Sequence, residues 1–273
     1  AETAKSSEAA ASSAQVSYGS GTANDAASMK TDKMKTASIH SDWTYILQNY
    51  VSSSDNVGLT HFNYAGLKAN AADNAKLGGY LKDLGAINPD TLSREEAIAY
   101  YANLYNALTI DLIVQNYPLD SIRKAKTYNG NKVSGLSGPW KKVKTSINGQ
   151  MVSLDDVEHQ ILRVKYPSPY VHYMVNCASV GCPNLLDEAW EAETFDAARK
   201  NAAADYINSP RGVKITPKGL VVSSIFKWFD DDFGGSKETV LKHIRKHANP
   251  ALAAAIDGGA KITGYDYDWS LNN

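Results

Sequence analysis

Apolar positions recur at helical spacing from residue 41 onward. In 41–51, Trp43, Ile46, Leu47 and Tyr50 fall three or four positions apart behind a Ser suited to capping, which predicts a helix. A second helix is expected over 64–84, ending in Gly85, its stripe diluted by alanine and glycine. A third, 97–116, runs without a breaker to Pro118 and is introduced by a capping-box sequence at 93–96. Ile98, Ala102, Tyr105, Leu108, Leu112 and Ile113 make it apolar around most of its circumference, the pattern of a central helix. Asn103 and Asn106 interrupt that surface. Buried amides cost energy unless hydrogen-bonded, so this pair is expected to hold a passing loop or a site in position.

Beyond Pro118 the pattern shortens. Residues 140–147 followed by Asn148-Gly149 predict a hairpin, because Asn-Gly supplies the left-handed turn. A second capping signature at 153–156 opens a helix that runs through Leu162. Residues 170–175 read as a short buried strand, with His172 and Met174 on one face. A helix is expected at 188–207, short strands at 213–215 and 219–222, and a helix at 237–247. Aromatic residues at 226–229 precede Asp230, Asp231 and Asp232, which read as a solvated cap beside Lys227. His243 and His247 read as surface or helix-end histidines, and the chain closes on an edge strand within 261–269.

Helices outnumber strands, no repeat is present and no boundary is marked after residue 40. The expected fold is a single α+β domain over 38–273, helix-rich around a small, largely antiparallel sheet. Residues 1–37 form an Ala/Ser-rich segment expected to be flexible, with nine Ala and seven Ser among the first 30.

Composition then excludes classes. A net charge of −1 lacks the basic surface that phosphate binding needs, so no nucleic-acid partner is expected. No apolar run is long enough to span a bilayer. Phosphate-loop and dinucleotide glycine motifs are missing, no cofactor is expected, and a monomer is. With only two cysteines, Cys177 and Cys182, a four-thiolate zinc site is impossible. A mixed site with His159 and His172 lacks the short Cys pair of structural zinc, so no metal is expected.

The chemistry therefore concentrates on the cysteines. Asp155 and His159 share one helix face, where the carboxylate can orient the imidazole or hold it protonated. Glu158 lies about 100° away round the helix and needs another partner. Cys177 is the candidate nucleophile, with His159 or His172 as its base and Asp155 as orienter. Asn176 is a candidate oxyanion donor, and Ser179 and Cys182 lie in the same run. The competing reading joins Cys177 to Cys182 in a disulfide.

Several segments carry a resemblance. They are 101–108 (YANLYNAL), 153–163 (SLDDVEHQILR) and 172–183 (HYMVNCASVGCP), with 226–233 (FKWFDDDF) and 267–271 (YDWSL). Together they resemble the domain-of-unknown-function family 547. The resemblance implies secreted or periplasmic, envelope-associated bacterial proteins, grouped distantly with papain-like and transglutaminase-like cysteine enzymes. By that analogy the Asn103 helix takes the place of the nucleophile helix, but position 103 is Asn. Two functions follow as expectations: a thiol-dependent hydrolase or acyltransferase acting on peptide or amide bonds, with Cys177 as nucleophile, or a non-catalytic envelope binding or scaffolding protein with a Cys177–Cys182 disulfide. A peptide or a cell-envelope component is the expected partner.

Overall fold

In α1 (Ser41–Tyr50) the spacing is realised, with Trp43, Ile46, Leu47 and Tyr50 buried. The computed structural model describes residues 39–136 and 138–273, so the segment 1–37 lies outside the described residues. The expected helix at 64–84 is divided into α2 (Tyr64–Ala69) and α3 (Ala71–Ala86). Asn70 divides it, because its side chain accepts the Asp73 N–H at 3.1 Å and caps a new helix. Gly85 lies inside the last turn of α3 rather than ending it. A Cβ there would come within 2.6 Å of the Ser146 carbonyl oxygen.

The capping box forms as expected: Glu96 accepts from the Ser93 N–H at 2.8 Å, and Ser93 Oγ accepts from the Glu96 N–H at 3.4 Å. It starts α4 (Arg94–Asn116), which is buried on nearly every side and forms the centre of the core. Asn103 and Asn106 are buried there and fully employed. Asn103 accepts the Trp190 N–H and donates to the Trp190 carbonyl, each at 2.9 Å. Asn106 donates to the Met174 carbonyl at 2.9 Å and accepts the Asn176 N–H at 2.8 Å.

Those clamps overturn two expected elements. Residues 170–175 are not a strand: Val171–Met174 form a helical turn, α6, and their carbonyl end is held by side chains. The Met174 carbonyl accepts from both Asn106 and the Trp190 indole, so it has no role in a strand ladder. The helix expected at 188–207 begins only at Phe195, as α7 (Phe195–Ile207). Trp190 cannot join it, because Asn103 takes both of its backbone groups.

Strands are short and distributed. β1 (Thr127–Tyr128) pairs with β2 (Asn131–Lys132), and β3 (Lys144–Ile147) with β4 (Gln150–Ser153), both antiparallel. Asn148 and Gly149 join β3 and β4 at φ 46° and 79°, as a two-residue turn requires. β5 (Val213–Thr216) and β6 (Gly219–Ser223) are antiparallel, and β7 (Ile262–Asp266) adds to β6 in parallel as an edge strand. The result is a helix-rich α+β domain with small, mostly antiparallel sheets.

After β4, Asp156 Oδ2 accepts from the Ser153 N–H at 2.9 Å and from its hydroxyl at 2.7 Å. The helix it opens is wound wide, as a π-helical segment Asp156–Leu162 running into α5 (Arg163–Lys165). After β6 come α8 (Ile225–Trp228), a 3-10 turn Asp230–Phe233, α9 (Lys237–His247) and α10 (Pro250–Asp257). Both histidines of α9 are half-buried, and His247 ends the helix as expected. The Tyr173 hydroxyl lies 2.8 Å from His243 Nε2 and the Tyr170 hydroxyl 3.1 Å from His247 Nε2.

Candidate functional site

The segment after α6 is folded by its own side chains. Asn176 donates to the Pro183 carbonyl at 2.7 Å and accepts the Ala178 N–H at 2.7 Å, closing a loop around both cysteines. Ala178 sits at φ 61°, a left-handed conformation that costs a residue with a Cβ on the order of 1–2 kcal/mol. Gly181 lets the C-terminal segment approach: its N–H donates to the Asp268 carbonyl at 2.8 Å. A Cβ at 181 would lie 2.9 Å from Asp268 backbone and from the Tyr267 ring. Ser179 and Leu271 form an antiparallel bridge alongside. The C-terminal segment is thus laid on the cysteine loop, and Tyr267 is brought over the sulfurs.

Both cysteines are free and buried. Cys177 Sγ lies 3.1 Å from Ser179 Oγ and 3.2 Å from the Tyr267 hydroxyl. Cys182 Sγ lies 3.1 Å from that same hydroxyl and accepts from Ser179 Oγ at 3.5 Å and from the Cys177 N–H at 3.0 Å. A hydrogen bond with Cys182, then burial, raises the Cys177 thiol well above its ordinary range. Burial also raises Cys182, but hydrogen bonds from Cys177, Tyr267 and Ser179 outweigh it and bring that thiol down to about 7. Neither His159 nor His172 is hydrogen-bonded to Cys177.

The histidines belong to a second network. His172 Nε2 lies 2.7 Å from Asp232 Oδ2, with its ring stacked on Phe229 at 4.3 Å. A carboxylate only accepts, so the Nε2 proton lies on that bond. Arg163 Nε donates to the same oxygen at 2.5 Å and Arg163 Nη1 to His159 Nδ1 at 3.2 Å. An arginine only donates, so His159 carries its lone pair on Nδ1 and has it engaged there. His159 Nε2 is 4.0 Å from Asp155 Oδ1, which completes the expected i,i+4 pairing at arm's length. Burial raises the Asp232 carboxyl, but its bonds with His172 and Arg163 outweigh that and hold it at about 2. Asp232 is therefore not the solvated cap expected from the acidic run. Burial first, and then the nearby Glu158 carboxylate, raise the Tyr105 hydroxyl well above its ordinary range.

One cavity of about 240 Å³ unites the two networks. Cys177, Cys182, His172, His159, Asp155 and Glu158 all line it. Asn176, Asn103 and Asn106 do not; Asn176 and Asn106 hold the loop from behind, and Asn103 holds the Trp190 backbone. The remaining wall is largely aromatic, with Tyr267 at 4.7 Å from Trp269 and 4.8 Å from Trp228 between ring centres. Trp228 is 47% exposed and forms a rim. Residues 89–207 match the family described as Protein of unknown function, DUF547. No curated protein and no solved structure matches the chain.

The DUF547 segment contributes the cysteine loop, α6, His159 and the clamping asparagines. Residues beyond it contribute Trp228, Phe229, Asp232, Tyr267 and Trp269, all of which touch the cavity or its network. Asp232 and Arg163 are the residues that sequence reasoning missed. Their signal was present: Arg163 stands four residues after His159, and Asp232 ends the acidic run that follows the aromatic residues 226–229. Among the described residues no group of His, Cys, Asp and Glu side chains is placed to hold a metal ion, and no helix is long and apolar enough to cross a membrane.

Proposed function

We propose that the pocket is the active site of a thiol-dependent hydrolase or acyltransferase acting on a peptide or amide bond. The observation that carries this reading is the pair of free thiols lining an aromatic cavity, hydrogen-bonded by a tyrosine and a serine hydroxyl, with a carboxylate-bound imidazole in the same wall. A sulfur in such a place gives its electron pair to an acyl carbon. A C–S bond forms, the acyl–nitrogen bond breaks, and the amine leaves with a proton. Water then adds to the thioester, releasing the acid and returning the sulfur. His172, oriented by Asp232, is the proton carrier of this reading. The aromatic walls suit an apolar acyl group or side chain, and exclusion of water there strengthens each polar contact. Location outside the cytoplasm belongs to the same proposal, on the resemblance alone, and cell fractionation tests it.

The experiment is acylation by activated esters of graded chain length, followed by intact-mass measurement. A hydroxylamine-sensitive acyl adduct on the protein, absent from the double Cys177→Ala, Cys182→Ala variant, is the expected result. No adduct with any ester, and ester turnover equal in the two proteins, would sink the enzyme reading.

A further inference from the structure

The two sulfurs of the cavity are not equivalent. Hydroxyl and thiol protons rotate to suit their neighbours, so Tyr267, Ser179 and either thiol can each turn toward one sulfur or the other. The Cys177 N–H cannot turn. It is fixed by the backbone, held between the Asn176 and Ala178 clamps, and it points at Cys182 Sγ from 3.0 Å. A neutral thiol is a weak acceptor, whereas a bond from an N–H to an ionised partner is about twice as strong as a neutral one. A buried amide aimed at a sulfur therefore favours the charged form of that sulfur.

We propose that Cys182, not Cys177, is the sulfur that reacts, held as a thiolate by the Cys177 N–H, the Tyr267 hydroxyl and the Ser179 hydroxyl. The assignment rests on the thiol-enzyme reading and names its nucleophile. The fixed amide and two rotatable protons, on Tyr267 and Ser179, surround one proton-free sulfur, and the Cys177 thiol turns its own proton to Ser179 Oγ, so every donor in the cluster has an acceptor. If the charge sat on Cys177 instead, the fixed amide would face a neutral thiol. Burial keeps Tyr267 protonated, so it acts as a donor in this arrangement. Cys177 is then a positioning residue, offering its N–H to the neighbour.

Alkylation of the wild-type protein by iodoacetamide, read at each cysteine by peptide mass mapping across pH 6 to 9, separates the two sulfurs. In this reaction the S–C bond forms as iodide leaves, so the rate follows the thiolate fraction. The expected result is labelling of Cys182 about tenfold faster than Cys177 at pH 7, a ratio that shrinks as pH rises. Cys177→Ala keeps the backbone amide, so Cys182 in that variant should still react at neutral pH. Cys182→Ala should leave Cys177 reactive only at alkaline pH. Faster labelling of Cys177, equal labelling of both, or protection of both in the folded protein while both react after unfolding would each overturn the assignment. Labelling at Cys182 without any acyl adduct would instead retain the thiolate and reject the acyl-transfer reaction.

Discussion

The Tyr267 hydroxyl lies 3.1 Å from Cys182 Sγ, across 85 positions of sequence. It is the long-range contact that makes the cysteine loop a site, because it caps the sulfurs with a proton donor supplied from outside the loop.

Tyr267→Phe removes that donor and leaves the ring. A hydrogen bond to a charged group is worth about 1.5–3 kcal/mol, equivalent to a rise of roughly one to two pH units for the thiolate. The Cys182 thiol should move up from about 7 toward the ordinary range of a cysteine. A thiolate ultraviolet titration checks this, and an unchanged midpoint would exclude Tyr267 as a donor.

Asn106→Ala leaves the Asn176 N–H without its partner and the Met174 carbonyl with the Trp190 indole alone. One buried N–H abandoned should cost about 1–3 kcal/mol. Urea unfolding measures the loss, and the cavity's tryptophan fluorescence should change even where the variant stays folded.

Gly181→Ala places a methyl within 2.9 Å of the Asp268 backbone and the Tyr267 ring. The C-terminal segment must shift, at a cost of about 1–3 kcal/mol. Thermal unfolding should register that cost, and the pH profile of Cys182 should move as it does in Tyr267→Phe.

Acid should weaken the fold through two buried histidines, a loss offset in part by Glu191, which burial raises to about 7. Burial lowers His40 and His243 to about 4, whereas an unfolded histidine titrates near 6.5. Between those values the unfolded chain binds more protons than the folded one, so stability present above pH 6.5 is lost as pH falls toward 4. At pH 5 the loss is about 2 kcal/mol for each histidine. Denaturant midpoints from pH 7 to 5 test it, and His243→Gln should flatten the slope.

Much of the fold was legible where a residue's role was local. The capping boxes, the Asn-Gly turn and the stripe of α1 depend on neighbours a few positions away, and they form as their spacing predicts. Elements failed where a distant side chain took the backbone. Residues 170–175 have the composition of a strand, yet Asn106 and the Trp190 indole occupy the Met174 carbonyl. The Trp190 backbone is likewise claimed by Asn103 from another part of the chain. The site divided the same way. The two cysteines and the histidines gather round one cavity, as their chemistry suggested, but the partners of each do not follow from sequence spacing. His172 turns to Asp232, 60 positions on, and the sulfurs turn to Tyr267. No periodicity carries such pairings, since they are set only when α6, the 3-10 turn and the C-terminal segment meet.

The bridge between Ser179 and Leu271 has a consequence for synthesis. A chain still on the ribosome acquires both thiols long before it acquires Tyr267. Until residues 267–271 emerge and dock, Cys182 lacks its tyrosine donor, and its sulfur should behave closer to an ordinary thiol. Full reactivity would then arrive last, as a signal that the chain has been completed through that segment.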